Sequence, residues 1–328
     1  MSKKVITSYK AFDKNMRCRD FQYEVGKEYE MDGDIKCCNR GFHACKNPLE
    51  VWNYYDILNS RFAEVEQSGK IDEEGNSTKV CSSHIKIKAE LNLADIIKVG
   101  VEWLKDITSP SKFKTDGALN DNGDRNKQIG SSGNSAKIGS SGDSAKIGSS
   151  GYSANIGSSG YYAQIGSSGY YAQIGSSGYS ANIGSSGYYA QIGSSGDYAQ
   201  IGSSGDSANI GSSGNSAKIG SSGNSAKIGS SGNSANIGSS GNSAKIGSSG
   251  DYAKIDSTGE DSVIMCAGYN SMAKAKAGSW ITLSEWKWNN EKNHHVPTCV
   301  KTEYVDGENI KADTFYRLQK GEFIEVIE

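Results

Sequence analysis

What this chain lacks narrows its class before any motif is read. It holds 3 prolines in 328 residues, and its formal charge is only −2. A charge so near zero gives no reason to expect nucleic acid as a partner. No apolar run approaches the ~18 residues of a membrane-spanning helix. Met1 to Ser8 turns polar too soon for a secretory leader, so a cytoplasmic location without membrane contact is expected. The seven cysteines are odd in number and follow no such leader, which fits reduced thiols better than a disulfide framework.

Glycine, in contrast, is abundant, and most of it lies in one stretch. Ile129 to Lys254 is fourteen consecutive copies of Ile-Gly-Ser-Ser-Gly-x-x-Ala-x. The sixth position is Asn, Asp or Tyr, the seventh Ser or Tyr, and the ninth Lys, Asn or Gln. So strict a period marks a repeat architecture. In Ala136-Lys137-Ile138 and its equivalents, strand alternation puts Ala and Ile on one face and the ninth residue on the other. One nonapeptide cannot bury a core, but stacked coils can, because like residues then form continuous ladders. The expected fold is mainly β: a β-solenoid, a flattened roll with two nonapeptides per coil, carrying an N-terminal α+β module and a C-terminal β-hairpin cap. Gly-Ser-Ser-Gly is expected to form the bend. Seven such coils at ~4.8 Å spacing would run ~30–35 Å.

Other nonapeptide or glycine-rich readings fail on chemistry. The Ca²⁺-binding repeat needs a carboxylate where this chain has Ser or Tyr. Collagen needs Gly where every third triplet here has Ala, and the repeat contains no Pro. A mimic of DNA should be strongly acidic, yet the fourteen copies hold six Lys and four Asp. A flexible Gly/Ser linker has no reason to keep Ile and Ala in every copy. Thr-x-Thr rows of the ice-binding type are absent.

Tyrosine concentrates in the middle copies: Tyr152, Tyr161, Tyr162, Tyr170, Tyr171, Tyr179, Tyr188, Tyr189 and Tyr198, with Tyr252 alone near the end. With two copies per coil, one face takes Tyr152, Tyr170, Tyr171, Tyr188 and Tyr189, and the other takes Tyr161, Tyr162, Tyr179 and Tyr198. Such ladders can stiffen neighbouring coils, or they can form a binding strip.

Residues 1–110 read as the α+β module. Strands are expected over 5–12, 21–25, 61–66 and 84–91. A helix is expected after the Asn47 cap, with Pro48 in its first turn and Leu49, Val51, Trp52, Tyr55 and Leu58 supplying apolar faces. A second helix runs from Leu93 to Ile107 with Ile96, Ile97, Val101 and Leu104 on one side, and Ser109-Pro110 ends it. Residues 111–128 are a linker or an irregular first coil, and 129–272 the solenoid with a degraded last coil. In 273–328, strands are expected over 279–283, 299–305, 315–318 and 323–327, with hairpin turns at Asp306-Gly307 and Lys320-Gly321. His294-His295 is expected in a solvated loop.

The order Cys18-Arg19-Asp20-Phe21-x-Tyr23-x-Val25-Gly26, then Cys38-x-x-Gly41-Phe42-His43-Ala44-Cys45-x-Asn47-Pro48, resembles an uncharacterised family of phages and prophages. Its members join this module to Ser/Gly-rich repeats and a short C-terminal segment. The resemblance implies a phage-related origin and no known activity. Cys18, Cys38, His43 and Cys45 are ligand types that could hold Zn²⁺; buried, inert thiols are the alternative. Tyr9-Lys10-Ala11 with Gly41-Phe42-His43-Ala44 and Tyr54-Tyr55 also resembles the opening of ADP-ribosyltransferase-like folds, though Lys10 departs from their Arg or His. The expected role is a non-enzymatic binding scaffold with no cofactor, whose partner is a protein. An inhibitor of a host defence protein and an enzyme in residues 1–110 are the alternatives. Homo-oligomers through the solenoid ends or terminal modules are a further expectation.

Overall fold

Eighteen residues separate every hydrogen-bonded pair of strands in the repeat: Ile138 pairs with Ile156, Ile156 with Ile174, and so on along the chain. Alternate nonapeptides therefore build opposite sheets of a flattened roll, two copies to the coil. The computed structural model describes residues 5–57, 59–74, 78–107, 118–120 and 123–327. Within them the solenoid has about nine coils. One 11-stranded sheet runs from Ala118–Asn120 to His294–Tyr304; the other runs from Gln128–Ser131 to Glu322–Glu325.

Each strand covers the ninth, first, second and third positions, as in Lys137–Ser140. Ile and Ser point inward, and Ala at the eighth position joins them from the turn; all are buried in the regular coils. The core thus has three inward side chains per copy, not two. In five copies the inward Ser closes its own turn: the Oγ atoms of Ser131, Ser149, Ser167, Ser176 and Ser185 accept from the Gly two residues on at 3.2–3.4 Å. Each buried Ile contributes about 1.5–3 kcal/mol, so stability accrues along the stack.

The bend differs from the expected Gly-Ser-Ser-Gly. The first Gly and Ser lie in the strand, and the left-handed residue of the turn is the seventh. Ser144, Tyr162, Ser180, Tyr189 and Tyr198 have φ of 54–58°. The fifth-position Gly is needed for close approach instead. A Cβ on Gly187 would lie 1.8 Å from the Gly169 carbonyl oxygen one coil back.

In the N-terminal module, strands β1 (Ile6–Phe12), β2 (Arg17–Cys18), β3 (Phe21–Gln22), β4 (Glu28–Glu30), β5 (Phe42–Cys45), β6 (Arg61–Glu73) and β7 (Lys79–Leu91) precede helix α1 (Leu93–Ile107). The pairings β7–β5, β5–β1, β1–β6 and β6–β7 form a closed circuit around Phe12, Tyr23, Phe42, Val65, Ile85 and Ile87. The strand expected over 21–25 shrinks to β3, half of a tight hairpin with β2. After Asn47 the chain forms a 3-10 helix, Pro48–Asn53, rather than an amphipathic α-helix. Asn47 does cap it, accepting from the Leu49 N–H at 3.0 Å. Pro48 through Trp52 are all buried, a pattern that one face of an α-helix cannot produce. Leu58 and Ser109-Pro110 lie outside the described residues, as do 111–117.

The module folds back onto the solenoid. Leu49, Trp52, Ile97, Val101 and Leu104 belong to one cluster of buried residues, and α1 lies across strands Lys146–Ser149 through Lys218–Ser221 of one sheet. Beyond the repeat, Trp280–Asn289 continues the other sheet in parallel and turns back as the antiparallel strand His294–Tyr304. Both expected strands are longer than the sequence indicated. The His pair opens the second of them, with the His295 ring stacked 4.1 Å from Tyr269, so it is not a solvated loop. Asp306-Gly307 makes no hairpin. The Asp306 carboxylate gathers the N–H groups of Glu308, Asn309 and Ile310 at 2.9–3.0 Å, and the chain crosses to the opposite sheet. There Tyr316–Gln319 and Glu322–Glu325 form the expected hairpin at Lys320-Gly321. Antiparallel strands thus cover the last edge of each sheet, where bare strands would invite further pairing.

Candidate functional site

The two sheets have near-identical repeat sequences and different exposure. In the covered sheet, Gln164–Ser167, Asn182–Ser185 and Gln200–Ser203 are buried at every position. In the open sheet, Gln173–Ser176, Gln191–Ser194 and Asn209–Ser212 alternate exposed and buried. The covering is specific. The Asn182 amide donates to the Asn53 side chain at 3.0 Å, and the Gln200 amide to the Trp52 carbonyl at 2.8 Å. Asn47 donates to Gln164, and Lys218 pairs with Asp56 at 3.0 Å. Strand glycines admit the module: a Cβ on Gly166 would lie 2.7 Å from Leu104, whereas one on Gly175 or Gly193 would meet nothing within 4 Å.

The tyrosines stand on the two turn edges of the roll, not on its sheet faces. On one edge Tyr152, Tyr170 and Tyr188 stack at 5.5 Å between centroids, and Tyr171 stacks on Tyr189 at 5.5 Å. On the other, Tyr161 and Tyr179 lie 6.0 Å apart, Tyr179 and Tyr198 5.2 Å, and Tyr162 joins Tyr179 edge-on at 6.4 Å. The grouping follows the two-copy coil, and all nine rings are 38–56% exposed. Where the sixth position is Asn or Asp, a different ladder forms. Its Oδ1 accepts the N–H of the residue one coil on, as from Asn215 to Asp197 at 2.7 Å and from Asn242 to Asn224 at 3.0 Å.

A cavity of about 570 Å³ opens in the module. Residues of both motif segments line it: Cys18, Arg19, Asp20, Phe21 and Tyr23 from one, and Cys38, Gly41, Phe42, His43, Ala44 and Cys45 from the other. β1 adds Tyr9 and Lys10, and the 3-10 helix with its exit adds Val51, Tyr54 and Tyr55. Lys10 is 5% exposed. Its ammonium donates to the His43 carbonyl at 2.9 Å and lies 3.5 Å from the Cys18 sulfur and 5.4 Å from the Tyr23 ring centre. Burial pushes the Lys10 amine below its ordinary range. Burial raises the Cys45 thiol and the Tyr23 and Tyr55 phenols, and pushes the Cys81 thiol up to about 12. Burial and the nearby Lys10 charge lower His43. Its Nε2 accepts the Cys38 N–H at 2.9 Å.

Cys18, Cys38, His43 and Cys45 therefore meet around one cavity. Among the described residues, no group of three or more His, Cys, Asp or Glu side chains is placed to hold a metal ion. Lys10 and Tyr55 are the nearest hydrogen-bonding groups to Cys18, the Tyr55 hydroxyl at 2.8 Å. Sequence reasoning named Tyr23 within the motif and Tyr9, Lys10, His43 and Tyr55 in the second resemblance, but not Lys79, which arrives on β7 with no short-range spacing to either.

No helix among the described residues is long and apolar enough to cross a membrane. No curated protein and no solved structure matches the chain. Residues 6–99 match the family model of a domain of unknown function (DUF7666); the match spans β1 to the first half of α1 and stops short of the repeat.

Proposed function

We propose that the chain is a non-enzymatic binding scaffold that presents its tyrosine ladders to a protein partner. The observation that carries this reading is the sixth position of the repeat. Asn or Asp there already couples one coil to the next through a backbone hydrogen bond. Tyr at the same position replaces that polar ladder with stacked rings that stand exposed, so an aromatic surface is presented where Asn or Asp already serves the stack. Exposed, pre-stacked rings lose little side-chain entropy on binding, and Tyr is enriched at recognition surfaces. The phage-related origin implied by the module's motif belongs to the same reading: the partner is then a host protein met in the host cytosol, and inhibition of a defence protein is its specific form.

The test compares the intact chain with two variants in affinity capture from host lysate. One carries Ser at 170, 171, 188 and 189, the other Ser at 161, 162, 179 and 198. Loss of a captured protein with one edge only would identify the binding edge. Capture of the same protein at full yield by both variants would remove the tyrosines from recognition.

A second reading, an ADP-ribosyltransferase-like enzyme in the module, is favoured by the cavity beside Tyr9, Lys10 and His43. It stands second because the one carboxylate among the described lining residues is Asp20; the glutamate such chemistry uses is not among them. Release of nicotinamide from NAD by the intact chain, lost in Lys10→Met, would reverse this order.

A further inference from the structure

We propose that the module cavity is a binding site for a small organic anion with a flat aromatic body, its charged group docked at Lys10. This is independent of the scaffold reading, which concerns the solenoid edges.

The size is that of a small-molecule site: about 570 Å³, within the roughly 300–1,000 Å³ usual for such pockets. The walls are aromatic. Tyr9, Phe21, Tyr23, Tyr54 and Tyr55 all line it, and Phe21 meets Tyr23 edge-on at 4.8 Å. Rings set this way offer faces and edges to a planar guest.

The charge is the decisive feature. An ammonium carries three donors and is rarely buried without a counter-ion. Lys10 donates to the His43 carbonyl at 2.9 Å and to the Cys18 sulfur at 3.5 Å. No carboxylate pairs with it among the described residues; the acids around it are thiols and phenols. Cys45 on β5, Cys81 on β7, and Tyr23 and Tyr55 are all held protonated by burial at neutral pH, and His43 is held neutral. The remaining lining charges are Arg19 and Lys79 against Asp20, and Lys79 is already engaged by Glu74 at 3.0 Å. The described lining thus carries Lys10, Arg19 and Lys79 against the one carboxylate of Asp20, and no carboxylate among the described residues is paired with Lys10. The protein supplies aromatic walls and a buried cation, and the ligand supplies the counter-charge.

A proton follows from the same balance. Burial lowers the Lys10 amine in the free protein, and an anion beside it raises the amine again. Binding therefore takes up a proton at pH values where free Lys10 is partly neutral, and weakens as pH rises further. A carboxylate and a phosphate ester both satisfy this chemistry.

The probe pair is 8-anilinonaphthalene-1-sulfonate and its uncharged analogue N-phenyl-1-naphthylamine, titrated into the intact chain. The expected result is one site that prefers the sulfonate by at least about tenfold. Lys10→Met should abolish that preference while still binding the neutral analogue, which also reports that the cavity has formed. Indole-3-acetate or adenosine monophosphate should displace the sulfonate, and the better of the two identifies the carboxylate or phosphate source. Adenosine and inorganic phosphate alone should not displace it. Equal affinity for both probes, an unchanged preference in Lys10→Met, or displacement by neither anion overturns the proposal. If Lys10→Met fails to fold, calorimetry on the unaltered chain in buffers of different ionisation enthalpy decides. Proton uptake on binding, the direction that burial of the amine dictates, supports the proposal, and its absence across the titrated pH range overturns it.

Discussion

Alanine at Gly202 and alanine at Gly193 should have different consequences, although both sit in the same four residues, Gln-Ile-Gly-Ser. Gly202 lies in the covered sheet, where a Cβ would be 2.9 Å from Ile97 and from the Trp52 ring; Gly193 lies in the open sheet and would meet nothing within 4 Å. Ordinary carbon contacts lie near 3.5–4.0 Å, so the module would have to lift by roughly 0.6–1 Å. Overpacking of this kind costs about 1–3 kcal/mol. Loss of glycine's freedom in the unfolded chain returns about 0.4–1 kcal/mol, but equally to both variants. The difference between the pair is therefore the overpacking alone. Because α1 and Pro48–Asn53 are what Gly202 touches, the cost falls on docking rather than on the solenoid. Hydrogen exchange of α1 amides should accelerate roughly 5- to 150-fold in Gly202→Ala and hardly change in Gly193→Ala. Equal behaviour of the two variants would refute the fold-back of the module as the source of the asymmetry.

Other expectations test the coil itself. Gly187→Ala places a methyl against the Gly169 carbonyl oxygen and should cost about 3 kcal/mol or more, read as a lowered thermal midpoint. Ile201→Ala empties a fully buried core position and should cost about 2–5 kcal/mol. Tyr170→Ser should cost no more than about 1.5 kcal/mol, because its ring is exposed and only the stacking is lost. A larger loss at Tyr170 than at Ile201 would make the ladder structural. Asp306 is held down to about 2, first by the Asn309 side chain and then by the backbone N–H groups it gathers. A depressed carboxylate stabilises fully above its unfolded value near 4, and that contribution is lost as pH falls toward about 2. Acid melting between pH 4 and 2 should therefore be less steep in Asp306→Ala, and an identical slope would contradict the capping role.

Much of the solenoid was legible because its rules are local. Ile and Ala recur at one spacing, so their place in the core follows from the period, and the expected two-copy coil divides the tyrosines into 152/170/188 and 161/179/198; the inward Ser was not anticipated. The bend was misplaced for an instructive reason. Glycine's tolerance of positive φ suggested the turn, whereas here the fifth glycine serves a carbonyl one coil away, and Ser or Tyr carries the left-handed backbone. The 3-10 helix was misjudged because Leu49 and Trp52 answer to a sheet more than a hundred residues on. In the cavity, the motif residues were visible, but Tyr55 and Lys10 approach Cys18 only once β1, β2 and the exit of the 3-10 helix have packed together.

By itself, then, the repeat determined its period, its inward Ile and Ala and the chemistry of its variable positions, since each depends on neighbours one coil apart. It could not determine which sheet would be covered. Near-identical copies have near-identical local preferences, so nothing within the repeat distinguishes Gly193 from Gly202. Only a contact from outside it, α1 and Trp52 seated over one face, breaks that equivalence. That no carboxylate among the described residues pairs with Lys10 is likewise a property of the packed module, because it depends on which groups burial brings around the amine.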